Sequence, residues 1–176
     1  MLKGGGKVRT DWVNTDIIGH ILASLTYENE LACRLSLSTG LRIGDCLALK
    51  TERLLKGNRF VIKEEKTGKG RRVYIPNKLY AELLKNAGRF YVFENRCDVK
   101  KHRTRQAVFK DIKRSAELFR VKENVAPHTM RKCFAVEFYK QNNSMKKVKD
   151  LLNHSSEAIT TIYAMADVIT KKKHKR

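Results

Sequence analysis

The residues best suited to chemistry are basic side chains next to predicted turns, and Arg42 is the first of them. It stands between two glycines in the segment Thr39–Asp45, directly after a predicted helix. An arginine on such a turn can lie close to a phosphate, and its guanidinium group matches two non-bridging oxygens, so the segment is consistent with a phosphate site. Taken alone, a surface arginine paired with Asp45 is the simpler interpretation.

A second basic pair lies in the segment Pro127–Arg131, at the predicted start of a helix. The spacing of three residues places His128 and Arg131 on the same helix face. Positive groups near a helix N-terminus oppose the helix dipole unless an anion lies between them. The pair therefore also indicates a site for an anion.

The remaining candidates are lysines in a predicted hairpin and two residues near the C-terminal end of the sequence. Glu65–Lys69 forms the hairpin tip and presents Lys66 and Lys69, which alone would be a solvated turn. His154 lies in a predicted turn between two helices, and Tyr163 follows nine residues later. Taken alone, these two residues are consistent with a helix-end histidine and a buried core tyrosine.

Several other kinds of chemistry are excluded by spacing. The histidines are far apart in the sequence, and the cysteines form no C-x-x-C pair, so no metal site and no disulfide framework is predicted. The glycines near Lys66 lie in a hairpin and are not followed by a helix that begins with Lys-Ser or Lys-Thr, so the nucleotide-binding phosphate loop is absent. We expect neither a metal nor a nucleotide cofactor.

The charge of the chain indicates a polyanionic partner. The 176 residues include 38 Lys and Arg against 18 Asp and Glu, which gives a formal net charge of +20. Such an excess favours nucleic acid as the partner. The longest apolar run, Ile162–Ala166, is too short to span a membrane, and we expect a soluble, cytoplasmic and nucleoid-associated protein.

Hydrophobic periodicity predicts the elements that must position these side chains. Helices are predicted over 12–24, 28–39, 77–85, 104–119, 127–143 and 145–152, with a further short helix capped by Ser155 or Ser156. Between Cys46 and Pro76 the pattern alternates, which predicts a short antiparallel sheet of about three strands. The predicted fold is α+β, mostly α-helical with a small antiparallel sheet.

The chain length favours one principal domain. Residues 1–10 are glycine-rich and are predicted to be a flexible lead-in or linker, residues 11–170 form the domain, and residues 171–176 form a basic tail.

Together, the order and spacing of these segments resemble the catalytic domain of tyrosine recombinases, the phage integrase family. The resemblance extends from about residue 12 to residue 170. The family's active-site set matches this sequence position by position as Arg42, Lys66, His128, Arg131, His154 and Tyr163. Asn153 stands where the family commonly has Gly, and Asp45 where Glu is frequent. Lys66 is preferred, with Lys69 and Lys63 left open as alternatives in the same hairpin.

This resemblance implies a metal-independent transesterification of DNA. Tyr163 would attack the scissile phosphate and form a 3′-phosphotyrosine, while Arg42 and Arg131 stabilise the transition state. His128 would accept the proton of the tyrosine, Lys66 would protonate the leaving 5′-oxygen, and His154 would donate a hydrogen bond to the phosphate.

The resemblance also implies double-stranded DNA as the partner and a homo-tetramer acting on two DNA sites, with accessory directionality or bending proteins as further partners. Family members usually carry an N-terminal helical domain that closes a clamp on DNA, whereas only 41 residues precede Arg42 here. The sequence is therefore expected to be either an excised catalytic domain or a short natural form. Delivery of Tyr163 in cis is the default expectation, and delivery in trans stays open.

Two other functions remain as alternatives. The first is a catalytically inactive DNA-binding accessory or regulatory protein with the same fold. The second is a type IB topoisomerase, which shares the active-site chemistry but relaxes supercoils as a monomer. The complete set of active-site residues argues against the first, and the turn around His154 together with the small size favours a recombinase over the second.

Overall fold

The computed structural model describes residues 10–152. Over this range the chain is mostly helical and carries one two-stranded sheet. The helices are α1 Thr15–Ala23, α2 Tyr27–Thr39, α3 Ile43–Leu47, α4 Thr51–Leu55, α5 Asn77–Asn86, α6 Arg105–Leu118, α7 Pro127–Asn142 and α8 Met145–Leu151. The strands are β1 Arg59–Lys63 and β2 Gly70–Tyr74. The predicted mostly helical α+β fold is confirmed.

Local sequence explains where the main helices begin and end. The side chains of Asn14, Thr104 and Ser144 accept hydrogen bonds from backbone amides in the first turns of α1, α6 and α8. Gly40 ends α2 in the left-handed conformation, and Asn143 ends α7 in the same way. Asn77 is the first residue of α5, as predicted, and Pro76 holds the position before it.

The predicted number of about three strands is wrong for the described residues, where the sheet has two. β1 and β2 pair in antiparallel register, with Phe60 opposite Val73 and Ile62 opposite Arg71. The segment before them forms α3 and α4 instead of a strand. Leu54 of α4 is fully buried whereas Leu55 is exposed, so this single helical turn buries one leucine against the core. Beside it, Lys50 makes only an isolated bridge to Tyr91.

The core is built around α2. Leu31 and Leu35 of this helix are fully buried, and α2 packs against α3, α5, α6 and α7. A smaller apolar cluster joins α7 to α8 through Val136 and Val148. This packing brings the C-terminal end of α2 next to α7, where the basic segments of the sequence meet. Within residues 10–152 no helix has the length and apolar character needed to cross a bilayer.

Candidate active site

A cleft of about 620 Å³ brings together the basic segments that the sequence analysis singled out. Arg42 and Lys66 line one side, and His128 and Arg131 line the side formed by α7. The start of α6 adds Arg105. His154 and Tyr163, the other two predicted site residues, lie outside the described residues.

Arg42 is placed by the sharp end of α2. Gly40 has φ of 66°, and a Cβ at this position would lie 2.3 Å from the ring of Phe134, so both the backbone and the packing require glycine. The chain then turns into α3, for which Arg42 is the capping residue. Its side chain is 18% exposed and donates from Nη1 to Glu64 Oε2 at 2.8 Å. The pairing with Asp45 considered at the sequence level is replaced by a pairing with Glu64.

Arg131 lies one helical turn inside α7 and is fully buried. Its Nη1 donates to the carbonyl of Gly40 at 2.7 Å, and its Nη2 donates to the carbonyl of Leu152 at 3.0 Å. Burial lowers the pKa of Arg131 to about 10, and the nearby charges of Arg42 and Arg71 act in the same direction. The Arg131 side chain therefore still carries its charge at neutral pH. The carbonyls of Gly40 and Leu152 hold it in place.

Glu64 and Arg71 complete this cluster, and the sequence analysis missed both. Glu64 is fully buried, and Arg71 is 5% exposed. Arg71 Nη1 donates to Glu64 Oε1 at 3.3 Å and to the Gly40 carbonyl at 3.1 Å. Burial lowers the pKa of Arg71, whereas the Glu64 carboxylate opposes that shift.

A signal for both residues was present in the sequence. Strand alternation places Glu64 on the face of Phe60 and Ile62, and it places Arg71 on the face of Val73, so each charged residue continues a buried stripe. Predicting their pairing required two further steps. The register of the two strands had to be known, and an acidic and a basic residue on the same inward face had to be expected to pair.

Asp45 connects α3 to the hairpin. Its Oδ1 accepts a hydrogen bond from the backbone amide of Glu65 at 2.9 Å. Burial raises the pKa of Asp45; the amide of Glu65 lowers it, and the nearby Glu64 carboxylate raises it further. The hydrogen bond fixes the backbone directly before Lys66, so Asp45 ties the position of that lysine to the arginine site.

Lys66 is exposed at the tip between β1 and β2, and its side chain lines the cleft. Lys63 lines a neighbouring depression together with His102, and Lys69 is exposed beyond the turn at Gly68. Among these three hairpin lysines, Lys66 alone lines the cleft that holds Arg42 and Arg131.

His128 is the second residue of α7 and is partly buried at the cleft wall. Pro127 opens the helix, as its fixed φ favours. The side chain of Thr129 accepts from the Ala126 amide at 3.2 Å and donates to the Asp11 carbonyl at 3.0 Å. This capping arrangement holds the backbone of the first turn of α7, which includes His128.

The arrangement is suited to binding and polarising a phosphate group. Three guanidinium groups, an imidazole and an ammonium group surround one concave surface, and none of these groups requires a cofactor to donate hydrogen bonds. Within the described range 10–152 no three His, Cys, Asp or Glu side chains cluster closely enough to hold a metal ion.

Comparison with known proteins identifies the family. Residues 12–168 match the phage integrase family. This chain is a member of that family. A tyrosine recombinase of Thermosipho africanus is 30% identical over 164 residues, which cover 87% of this integrase-family chain and 56% of the relative. The integrase of Escherichia phage P2 is 28% identical over 90% of the chain and 44% of its own length.

The integrase-family chain thus spans about half the length of these two curated relatives. A probable integrase/recombinase of Bacillus subtilis, YoeC, is 30% identical over 74% of each protein. Among solved structures, a lambda integrase dimer bound to a core site aligns with a TM-score of 0.74 at 18% identity. The alignment covers 90% of the integrase-family chain and 61% of the lambda integrase chain. The catalytic domain of bacteriophage HP1 integrase aligns with a TM-score of 0.65 at 20% identity over 89% and 88%. The fold is that of a tyrosine recombinase catalytic domain.

Proposed function

We propose that this chain catalyses site-specific DNA recombination by cleaving and rejoining DNA strands through a 3′-phosphotyrosine at Tyr163. The observation that carries the proposal is the single cleft lined by Arg42, Lys66, His128 and Arg131. These four residues come from distant parts of the sequence, and membership of the phage integrase family supports a recombinase activity at this cleft.

The two arginines provide electrostatic stabilisation. Arg42 and Arg131 bind the non-bridging oxygens of the scissile phosphate and stabilise the charge that develops in the pentavalent transition state. Arg131 is suited to this role because its charge is buried, so its interaction with a phosphate is stronger than it would be in water. His154 adds a hydrogen bond to the same phosphate.

Proton transfer falls to the histidine and the lysine. A tyrosine hydroxyl has a pKa near about 10, so Tyr163 needs a proton acceptor at neutral pH, and His128 takes that role. As the phosphorus–oxygen bond to the 5′ side breaks, Lys66 donates a proton to the leaving oxygen. The energy of the broken phosphodiester bond is conserved in the bond between Tyr163 and the 3′-phosphate, so rejoining requires no nucleotide cofactor or metal ion.

Double-stranded DNA is the proposed partner, and four copies of the chain on two DNA sites form the proposed assembly. The net charge of +20 supports the first, because lysines and arginines bind the phosphate backbone. A structurally similar lambda integrase has been captured as a tetramer bound to a Holliday junction, which supports the second. Accessory proteins that bend DNA or set direction belong to the same proposal.

Covalent trapping tests this proposal. The protein is incubated with nicked oligonucleotides tiled across the DNA that flanks its gene, and the products are separated in SDS. We expect an SDS-resistant protein–DNA band that Tyr163→Phe abolishes and that Tyr27→Phe, an exposed tyrosine on α2, leaves intact.

The outcomes separate the alternative functions. Tight, salt-dependent DNA binding with no covalent band from any oligonucleotide would contradict the proposal and favour an inactive accessory protein. A covalent band with supercoil relaxation but no strand exchange between two duplexes would favour a topoisomerase instead.

A further inference from the structure

The carboxylate of Glu64 lies between the arginines of the cleft, although it is fully buried. Its Oε2 accepts from Arg42 Nη1 at 2.8 Å, and its Oε1 lies 3.6 Å from Arg131 Nη1. One carboxylate thus contacts the guanidinium groups of both arginines that the proposed function assigns to the phosphate.

The carboxylate is itself held from two further sides. Thr67 Oγ1 donates to Glu64 Oε2 at 3.0 Å, and Arg71 Nη1 donates to Oε1 at 3.3 Å. Arg71 is anchored in turn, because it also donates to the carbonyls of Thr39 and Gly40. Since both oxygens are engaged by fixed donors, Glu64 has little freedom to change rotamer.

The position of Glu64 in the chain adds a second connection. It follows β1 directly and stands two residues before Lys66, and its backbone closes the hairpin turn through the Lys69 carbonyl and the Gly68 amide. A single residue therefore links the hairpin that carries Lys66 to Arg42, which precedes α3, and to Arg131 of α7.

We propose that Glu64 is a positioning residue, which orients the guanidinium groups of Arg42 and Arg131 before DNA binds and fixes the Lys66 hairpin relative to them. Glu64 makes no contact with the scissile phosphate in this proposal and acts through the arginines. The inference rests on the proposed function, since positioning matters for a reaction that those arginines promote.

Two variants of Glu64 test the proposal. Glu64→Asp keeps the charge but withdraws the carboxylate from Arg42, whereas Glu64→Gln keeps the length and removes the charge. Glu82→Gln is the matched control, because Glu82 forms an equally close pair with Arg34 on the surface away from the cleft. Each protein is assayed below its thermal midpoint, with the oligonucleotide that gives the covalent band, for the single-turnover cleavage rate and the DNA affinity.

We expect Glu64→Asp to cleave about 10²-fold more slowly, because a displacement of about 1 Å at the reacting groups has an effect of this size. Its DNA affinity stays near that of the parent protein because the charge is retained, and its thermal midpoint falls less than that of Glu64→Gln. Glu64→Gln loses both rate and thermal stability, and Glu82→Gln cleaves at the parent rate. Parent-like cleavage by folded Glu64→Asp and Glu64→Gln would overturn the proposal.

A measurement without DNA separates this inference from the proposed function. In NMR spectra of guanidinium-labelled protein, the Arg42 and Arg131 signals, assigned by Arg42→Lys and Arg131→Lys, shift and exchange faster in Glu64→Asp but not in Glu82→Gln. Unchanged signals in Glu64→Asp would overturn the inference. Absence of a covalent band from the parent protein would instead count against the proposed function.

Discussion

At the scale of single residues, the proposed phosphate binding by Arg42 depends on the shape of its side chain as well as on its charge. Its Nη1 donates to Glu64, and the residue lines the cleft. A lysine would keep the charge but lose the planar fork that matches two phosphate oxygens.

We therefore expect Arg42→Lys to slow formation of the covalent DNA complex by about 10²-fold, because transition-state stabilisation is lost. DNA affinity should change little, since the chain has 38 Lys and Arg residues in all to bind the backbone. Arg34→Lys alters an arginine–carboxylate pair away from the cleft and serves as the control. Parent-like cleavage by Arg42→Lys, measured as the single-turnover rate, would contradict the role assigned to Arg42.

The hairpin lysines allow a test that separates proton donation from simple charge. We expect Lys66→Met to cleave about 10²-fold or more slowly, because general acid catalysis of the leaving group is lost, and Lys69→Met to remain close to the parent. A substrate with sulfur in place of the bridging 5′-oxygen has a leaving group that needs no proton. On that substrate the Lys66→Met rate should return toward the parent rate; a persisting defect would argue against proton donation by Lys66.

At the scale of elements, the end of α2 controls the arginine site. Gly40 combines φ of 66° with a position where a Cβ would lie 2.3 Å from the Phe134 ring, and its carbonyl accepts from both Arg71 and Arg131. The backbone of Gly40 therefore both ends α2 and positions the side chains of Arg71 and Arg131.

We expect Gly40→Ala to lower the free energy of unfolding by about 2–4 kcal/mol, from left-handed strain and overpacking against Phe134. Gly19 in α1 offers the matched control, because nothing lies within 4 Å of a Cβ there. Gly19→Ala should raise the free energy of unfolding by about 0.5–1 kcal/mol. Urea titrations of both variants measure the difference, and equal midpoints would contradict this account of Gly40.

Asp111 joins α6 to the start of α2 and gives a test by pH. Burial raises the pKa of this carboxyl, but hydrogen bonds from Asn29, the Thr26 amide and Arg114 outweigh that effect, so the pKa is lowered in the folded protein. The stabilisation is therefore fully present above the unfolded pKa, 3.8, and is lost as pH falls through the folded value.

We expect Asp111→Asn to lower the free energy of unfolding at pH 7 by about 1–3 kcal/mol, because charged hydrogen bonds are lost. The variant should also lose less stability than the parent on acidification below the unfolded pKa. Chemical denaturation at several pH values measures both effects, with the exposed Asp150→Asn as control. An unchanged pH profile in Asp111→Asn would argue against the bonds made by this carboxylate.

Helix α6 was predictable because a periodic apolar stripe follows the capping residue Thr104. The five-residue helices α3 and α4 were not, since little more than one turn has no periodicity to detect. At the site, turns and spacing marked Arg42, His128 and Arg131 as candidates, and the resemblance to tyrosine recombinases assigned them and Lys66 to the active site, which stays a prediction. Glu64 and Arg71 were missed because their role depends on pairing across the sheet and between elements distant in sequence.

At the scale of the whole molecule, the net charge of +20 should dominate the affinity for DNA. If the protein neutralises about six to ten phosphates, affinity should fall by about 10³–10⁵ between about 50 and 200 mM salt. Fluorescence anisotropy across a salt series measures the slope. A salt-independent affinity would contradict a binding mode based on the phosphate backbone.

Removal of residues 171–176 tests the function of the basic tail. If the tail lies on DNA, the slope of log affinity against log salt should decrease by about 0.9 for each phosphate that the tail neutralises in the full chain. An unchanged slope accompanied by weaker assembly of copies on DNA would instead assign the tail to the interface between protomers.

The central claim is that Tyr163 becomes covalently joined to DNA, and mass spectrometry of the trapped complex tests it most directly. After nuclease and protease digestion, we expect a nucleotide attached through its 3′-phosphate to the peptide that contains Tyr163. Attachment to a different side chain, or no modified peptide from protein that is saturated with its own cleavage-site DNA, would contradict the claim.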